Sequence, residues 1–146
     1  MSLPLDELYR DVILDHYKQP RNRGELEPHT VRVEGTNPLC GDEIQIDVRT
    51  TADGKLDDIA FKGRGCSISQ ASASMMTEAV KNLSTDEVGE LIGTFKAMMH
   101  GQPVDTEPLG DLEALEGVQK FPVRIKCALL AWTTLEQALR EAAAAS

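Results

Sequence analysis

The chain reads as an α+β fold, a three-stranded antiparallel sheet with helices packed on one face. Ile44, Ile46 and Val48 alternate with Glu43, Gln45, Asp47 and Arg49, the period-two pattern of a half-buried strand. After Cys66 the period becomes helical, with Ile68, Ser72, Met75, Ala79 and Leu83 on one face. Between two alternating runs lies Asp53-Gly54, the pair that a tight antiparallel hairpin favours.

The elements follow in order. Leu5, Leu8, Val12 and Ile13 recur at helical spacing, Pro4 is tolerated in a first turn, and Pro20 and Gly24 stop the run. Residues 4–17 are therefore expected to be helix, followed by an extended linker over 19–28. Val31 and Val33 begin the sheet, and Ile59 and Phe61 resume the alternation beyond the hairpin. Ser84 and Glu87 form a capping box that starts a short helix through Val88, Leu91 and Ile92. Phe95, Met98 and Met99 supply a further turn or two, closed by Gly101. A polar loop with Pro103 and Pro108 leads to a short helix around Leu112 and Leu115. Pro122 opens the last helix, whose buried face is Ala128, Trp132, Leu135 and Leu139. The whole of 1–146 reads as one domain, with the alanine-rich end, 142–146, expected to fray.

Charge narrows the function classes. Fifteen basic against 24 acidic residues give a formal net charge of −9, and the densest basic stretch, Lys18 to Arg23, is short and interrupted. A nucleic-acid binder needs a basic stripe to displace counterions, so that class is set aside. Nothing resembles a basic-then-apolar leader or the roughly 20 apolar residues of a membrane span. A reducing cytoplasm, where thiols stay free or bind metal, is the expected compartment.

The three cysteines carry the chemistry. Cys40 sits in the loop Asn37-Pro38-Leu39-Cys40-Gly41-Asp42 between two strands. Cys66 follows Gly63-Arg64-Gly65, where a strand gives way to a helix, and Cys127 lies in the first turns of the last helix. A thiol at a helix N-terminus meets the positive end of the macrodipole, which favours the thiolate that binds metal and attacks sulfur. Asp42, two residues after Cys40, adds a carboxylate. Three sulfurs and one carboxylate complete a four-coordinate set for Zn²⁺ or a cluster-bound iron. The long gaps between the cysteines match no compact zinc-finger spacing, and free cysteine is commonly buried as a small hydrophobe. On residues alone, a joint site and three core fillers stand as alternatives. His16, His29 and His100 read as structural or surface groups. Arg124 and Lys126, flanking Cys127, read either as solvated helix charges or as groups that lower a thiol pKa or hold a partner's carboxylate.

Four longer stretches resemble the IscU/SufU family of iron–sulfur cluster assembly proteins. Val12-Ile13-Leu14-Asp15-His16-Tyr17-Lys18-Gln19-Pro20-Arg21-Asn22 is similar to the family's N-terminal helix end. Asn37 to Asp42, Phe61 to Ser72 and Phe121 to Ala128 are similar to its three cysteine segments, in order, so the resemblance spans nearly the whole chain. Lys126 stands where the IscU type carries a histidine, and 94–108 resembles an addition found in the SufU type. The IscU type's chaperone-binding stretch is represented only by Phe121-Pro122-Val123-Arg124.

The resemblance implies an α+β fold and a zinc site of Cys40, Asp42, Cys66 and Cys127. It also implies a cysteine desulfurase of the SufS type as partner, with downstream iron–sulfur assembly proteins beyond it. The expected function is that of a zinc-dependent sulfurtransferase accepting persulfide sulfur, with Cys40 as nucleophile because it rides a loop. The alternative is a scaffold on which a transient [2Fe–2S] cluster is built and transferred. A purely structural zinc is the third reading.

Overall fold

The computed structural model describes residues 5–39 and 41–145, with side chains over 10–39 and 41–144. Pro4, Cys40, Ser146 and the side chains of Leu5 and Leu8 therefore lie outside what is described. Helix α1 (Leu5–Lys18) precedes strands β1 (Val31–Asn37), β2 (Asp42–Thr50) and β3 (Leu56–Arg64). Helices α2 (Ser67–Val80) and α3 (Thr85–Met99), a 3₁₀ segment (Glu107–Lys120) and helix α4 (Pro122–Ala145) complete the chain.

The strands form an antiparallel sheet in the order β1-β2-β3. Its register aligns Val33 with Ile46 and Ile46 with Phe61, and Val31 with Val48 and Val48 with Ile59. These rows put the apolar residues on one face, where α4 covers β1 and β2 and α2 covers β3. The β2–β3 hairpin closes through Thr51 N–H donating to the Lys55 carbonyl at 2.9 Å, and Gly54 takes φ +82°, which glycine adopts without penalty.

The opposite face is not simply solvated. Asn22 and Gly24 pair with both backbone groups of Phe61 at the edge of β3, and the chain then crosses to Thr30, whose N–H donates to the Val48 carbonyl. This crossing segment covers Asp47, which is completely buried. Arg32 grips its carboxylate through Nε at 2.7 Å and Nη2 at 2.9 Å, and the Leu26 N–H donates at 2.9 Å.

The helices depart from expectation in four places. Helix α2 stops at Val80, short of Leu83, because Asn82 turns the chain at φ +70° and the Asn82 N–H and Leu83 carbonyl bond to the edge residue Leu56. Asparagine tolerates that left-handed conformation better than most residues. The capping box does form, but α3 is one continuous helix from Thr85 to Met99, since Gly93 weakens the helix without breaking it. The alanine end, expected to fray, continues α4 as helix to Ala145, and Ala142 at its start is buried. The short helix around Leu112 and Leu115 is a 3₁₀ segment interrupted at Gly110, where φ is +55° and ψ −127°.

One buried cluster sets the position of α4. Trp132 stacks on Phe95 of α3 with ring centroids 4.4 Å apart, and its Nε1–H donates to Ser72 Oγ at 3.0 Å. Ser72 in turn donates to the Ala128 carbonyl at 2.7 Å. Truncating a buried tryptophan of this kind costs about 3–5 kcal/mol. The cluster also holds the start of α4 against α2, which matters for the cysteines.

Candidate metal centre

Each side chain is delivered by the end of an element. Asp42 is the first residue of β2, placed after Gly41, which turns the chain at φ +70°. It lies on the helix-covered face and is 1% exposed. Cys66 is the N-cap of α2, extended at φ −71° and ψ 166°, with a carbonyl that accepts from Ser69 Oγ at 3.0 Å. Its N–H donates to Asp42 Oδ1 at 2.9 Å, tying strand to helix. Cys127, in the second turn of α4, is fully buried.

Gly65 lets these groups approach. It adopts φ +154°, and a Cβ there would overlap Asp42 Oδ1 and lie 2.8 Å from both Asp42 Cγ and Ser69 Oγ. Any side chain would push the carboxylate off the Cys66 backbone.

The structure brings Asp42, Cys66 and Cys127 together, with one ligand atom from each lying within 4.8 Å of the others. Asp42 Oδ2 is buried and has no hydrogen-bond partner. A buried acceptor left unpaired costs about 1–3 kcal/mol, so an oxygen aimed beside two sulfurs is expected to be satisfied by something further. Two thiols and a carboxylate suit Zn²⁺ or a cluster iron, so the residues fit a metal. Cys40, the remaining expected ligand and nucleophile, lies outside the described residues.

Arg124 and Lys126 are both exposed. Arg124 joins Arg10, Ile13, Ile68, Val118 and Phe121 around a groove of about 690 Å³ that begins one residue beyond Cys66, at Ser67. Leu39, Phe121 and Val123 are 69%, 60% and 58% exposed and stand close in sequence to the cysteines.

The histidines take no part. His16 is buried with Nδ1 2.8 Å from Ser74 Oγ, while His29 and His100 bond to the Leu26 and Lys96 carbonyls. Ser69 and Ser72 support the site, Asn37 faces Asp42 across the strand pair, and none of the three is singled out from sequence. For Asn37, a polar residue ending a strand just before Pro38 was the available signal. Ser69 and Ser72 gave none beyond their place on α2.

Comparison with known proteins agrees with the fold. The model of the NifU-like N-terminal domain matches residues 8–128. The zinc-dependent sulfurtransferase SufU of Bacillus subtilis is 50% identical over 134 residues, covering 91% of this chain and 90% of the relative. The iron–sulfur cluster assembly scaffold protein IscU of Streptococcus pyogenes is 46% identical over 141 residues, covering 95% of this chain and 87% of the relative. A crystal structure described as a candidate iron–sulfur cluster assembly scaffold for the SUF system, from Fervidobacterium islandicum, matches with a TM-score of 0.85 and 36% identity. It covers 88% of this chain and 94% of that one. The chain belongs to the NifU-like N-terminal domain family, the IscU/SufU proteins of iron–sulfur cluster assembly. Among the described residues, no helix is long and apolar enough to cross a membrane.

Proposed function

We propose that this chain is a zinc-dependent sulfur acceptor that takes persulfide sulfur from a cysteine desulfurase of the SufS type and passes it to downstream iron–sulfur assembly proteins. The observation that carries this is the buried, unpartnered Asp42 Oδ2 beside Cys66 and Cys127. The likeness to a relative named as a zinc-dependent sulfurtransferase supports the choice of metal. Cys40, Asp42, Cys66 and Cys127 would hold the ion. Bound zinc keeps its thiolates deprotonated at neutral pH and adds no redox chemistry.

The chain's own residues perform the transfer. The Cys40 thiolate attacks the outer sulfur of the partner's persulfide, forming one S–S bond while the other breaks. The partner's cysteine leaves as a thiolate and the sulfur stays as a persulfide on Cys40, with no net oxidation. Asp42, a harder ligand than a thiolate, keeps the site exchangeable. Leu39, Phe121 and Val123 supply apolar contact for the partner, and Arg124 and Lys126 meet its carboxylates.

Alanine release by the cognate desulfurase, titrated with the zinc-loaded protein, tests the proposal. The expected result is a steep, saturable rise that Cys40→Ser abolishes while the complex still forms, and that Arg124→Glu with Lys126→Glu moves to higher protein concentration. A flat response from the wild-type complex would overturn it. The scaffold reading is favoured by the Streptococcus relative's name and by a donor set that suits iron equally. Retention of iron and sulfide on anaerobic reconstitution, with transfer intact to an apo-acceptor, would then identify the cluster as cargo.

A further inference from the structure

Helix α1, the start of α2, the 3₁₀ segment and the start of α4 surround the open groove of about 690 Å³ beside the metal centre. Its apolar floor is Ile13 and Leu14 of α1, Ile68 of α2, Val118 of the 3₁₀ segment, and Phe121. Phe121 is exposed, and Ile13, Leu14 and Ile68 are only partly buried, so apolar surface in the groove faces solvent. Arg10 stands one turn before Ile13 and Leu14 on the same face of α1.

The charge of the groove is opposite to that of the chain. Its charged lining residues are Arg10, Lys120 and Arg124, all exposed, whereas the chain as a whole carries a net charge of −9. Among the described residues, no carboxylate lines the groove and none of these three cations is ion-paired. Two helices also begin here, α2 at Ser67 and α4 at Pro122. Neither has an acidic residue in its first turn to offset the positive end of its dipole. An occupant therefore needs apolar side chains for the floor and carboxylates for the rim. Every element lining the groove is helical, so no sheet edge offers main-chain pairing to an extended strand. An amphipathic helix laid in the groove is the mode that fits.

We infer that this groove is a docking site for an acidic amphipathic helix of a protein partner. Its apolar side chains lie on Ile13, Leu14, Ile68, Val118 and Phe121, and its carboxylates meet Arg10, Lys120 and Arg124. Phe121 and Arg124 are shared with the desulfurase face proposed above. Arg10, Ile13 and Lys120 belong to the groove alone, so the inference stands apart from the choice of metal and from the sulfur chemistry. A partner seated here lies against the start of α2, capped by Cys66, and the start of α4, which carries Cys127.

Fluorescence anisotropy of a fluorescein-labelled helical peptide, with leucines on one face and glutamates on the other, tests this. Wild-type protein is expected to bind it saturably, and more weakly as salt rises. Arg10→Glu with Lys120→Glu, at two exposed positions where the fold should survive charge reversal, is expected to weaken binding about tenfold or more. Replacing the peptide's leucines by serine, or its glutamates by lysine, should abolish binding. No binding by the wild type, equal binding by the double variant, or equal binding of either altered peptide would overturn the inference. So would self-association of the wild-type chain that the double variant loses, because the occupant would then be a second copy of this chain.

Discussion

Strand β2 carries two buried carboxylates with opposite surroundings. Asp47 is 0% exposed and Asp42 is 1% exposed, and they sit five residues apart on opposite faces of one strand. Asp47 is satisfied on both oxygens, by the bidentate Arg32 and by the Leu26 N–H. Burial alone would raise its pKa, but the Arg32 hydrogen bonds and the Leu26 N–H together hold it below the ordinary aspartate value. Asp42 receives only the Cys66 N–H on one oxygen and leaves the other unpaired. A carboxylate that serves the fold has its partners built in. The one kept short of a partner is the candidate metal ligand.

Substitution should separate the two. The largest effect is expected at Asp47, where alanine removes charge-assisted hydrogen bonds worth about 2–3 kcal/mol in sum, lowering the urea midpoint without altering zinc affinity in the folded fraction. Its pH dependence has a definite sign. A depressed folded-state pKa gives stability that is present above the unfolded value, about 3.9, and is lost as pH falls through the folded value. Wild-type stability should therefore fall on acidification below about pH 4, and Asp47→Asn should flatten that fall.

Asp42→Ala comes next and should reverse the pattern. Zinc affinity, read by competition with a chromogenic chelator, is expected to drop by at least the roughly 10–100-fold that loss of an outer-sphere partner costs. In chelator, with no metal, the variant should lose less than about 1 kcal/mol, because the unpaired Oδ2 disappears along with the Cys66 contact. If the two variants lost equal stability under chelation, Asp42 would be a structural carboxylate and the contrast would collapse.

The smallest effect concerns His16, a buried polar group of the first kind. Burial lowers its pKa, and the nearby Arg21 charge lowers it further, against the opposing pull of Asp111 and Asp15. A base whose folded pKa is depressed stabilises the fold above the unfolded value, about 6.5, and loses that contribution as pH falls toward the folded value. Urea unfolding from pH 7 downward should show a shallow decline beginning near pH 6.5 that His16→Gln removes. A decline unaltered by the substitution would assign it to another group.

The sequence by itself determined every strand, the start of each helix and the identity of the ligand candidates. Those depend on alternation, capping and turn chemistry, which act over a few residues. Asp47 shows the limit: period two put it on the polar face, and only the crossing segment from Asn22 to Thr30 buries it. The end of α2 was also misread, because an edge pairing with Leu56 outweighed the helical run toward Leu83. At the site, spacing left core burial and a joint centre as alternatives, and the resemblance named a ligand set without bringing its members together. Their convergence depends on contacts distant in sequence: Trp132 with Phe95 and Ser72, Ser72 with Ala128, and Asp42 across to the Cys66 backbone. Only the tertiary structure decided that Asp42, Cys66 and Cys127 lie within 4.8 Å of one another, because that proximity is set by how helices seat on a sheet, a property no local pattern encodes.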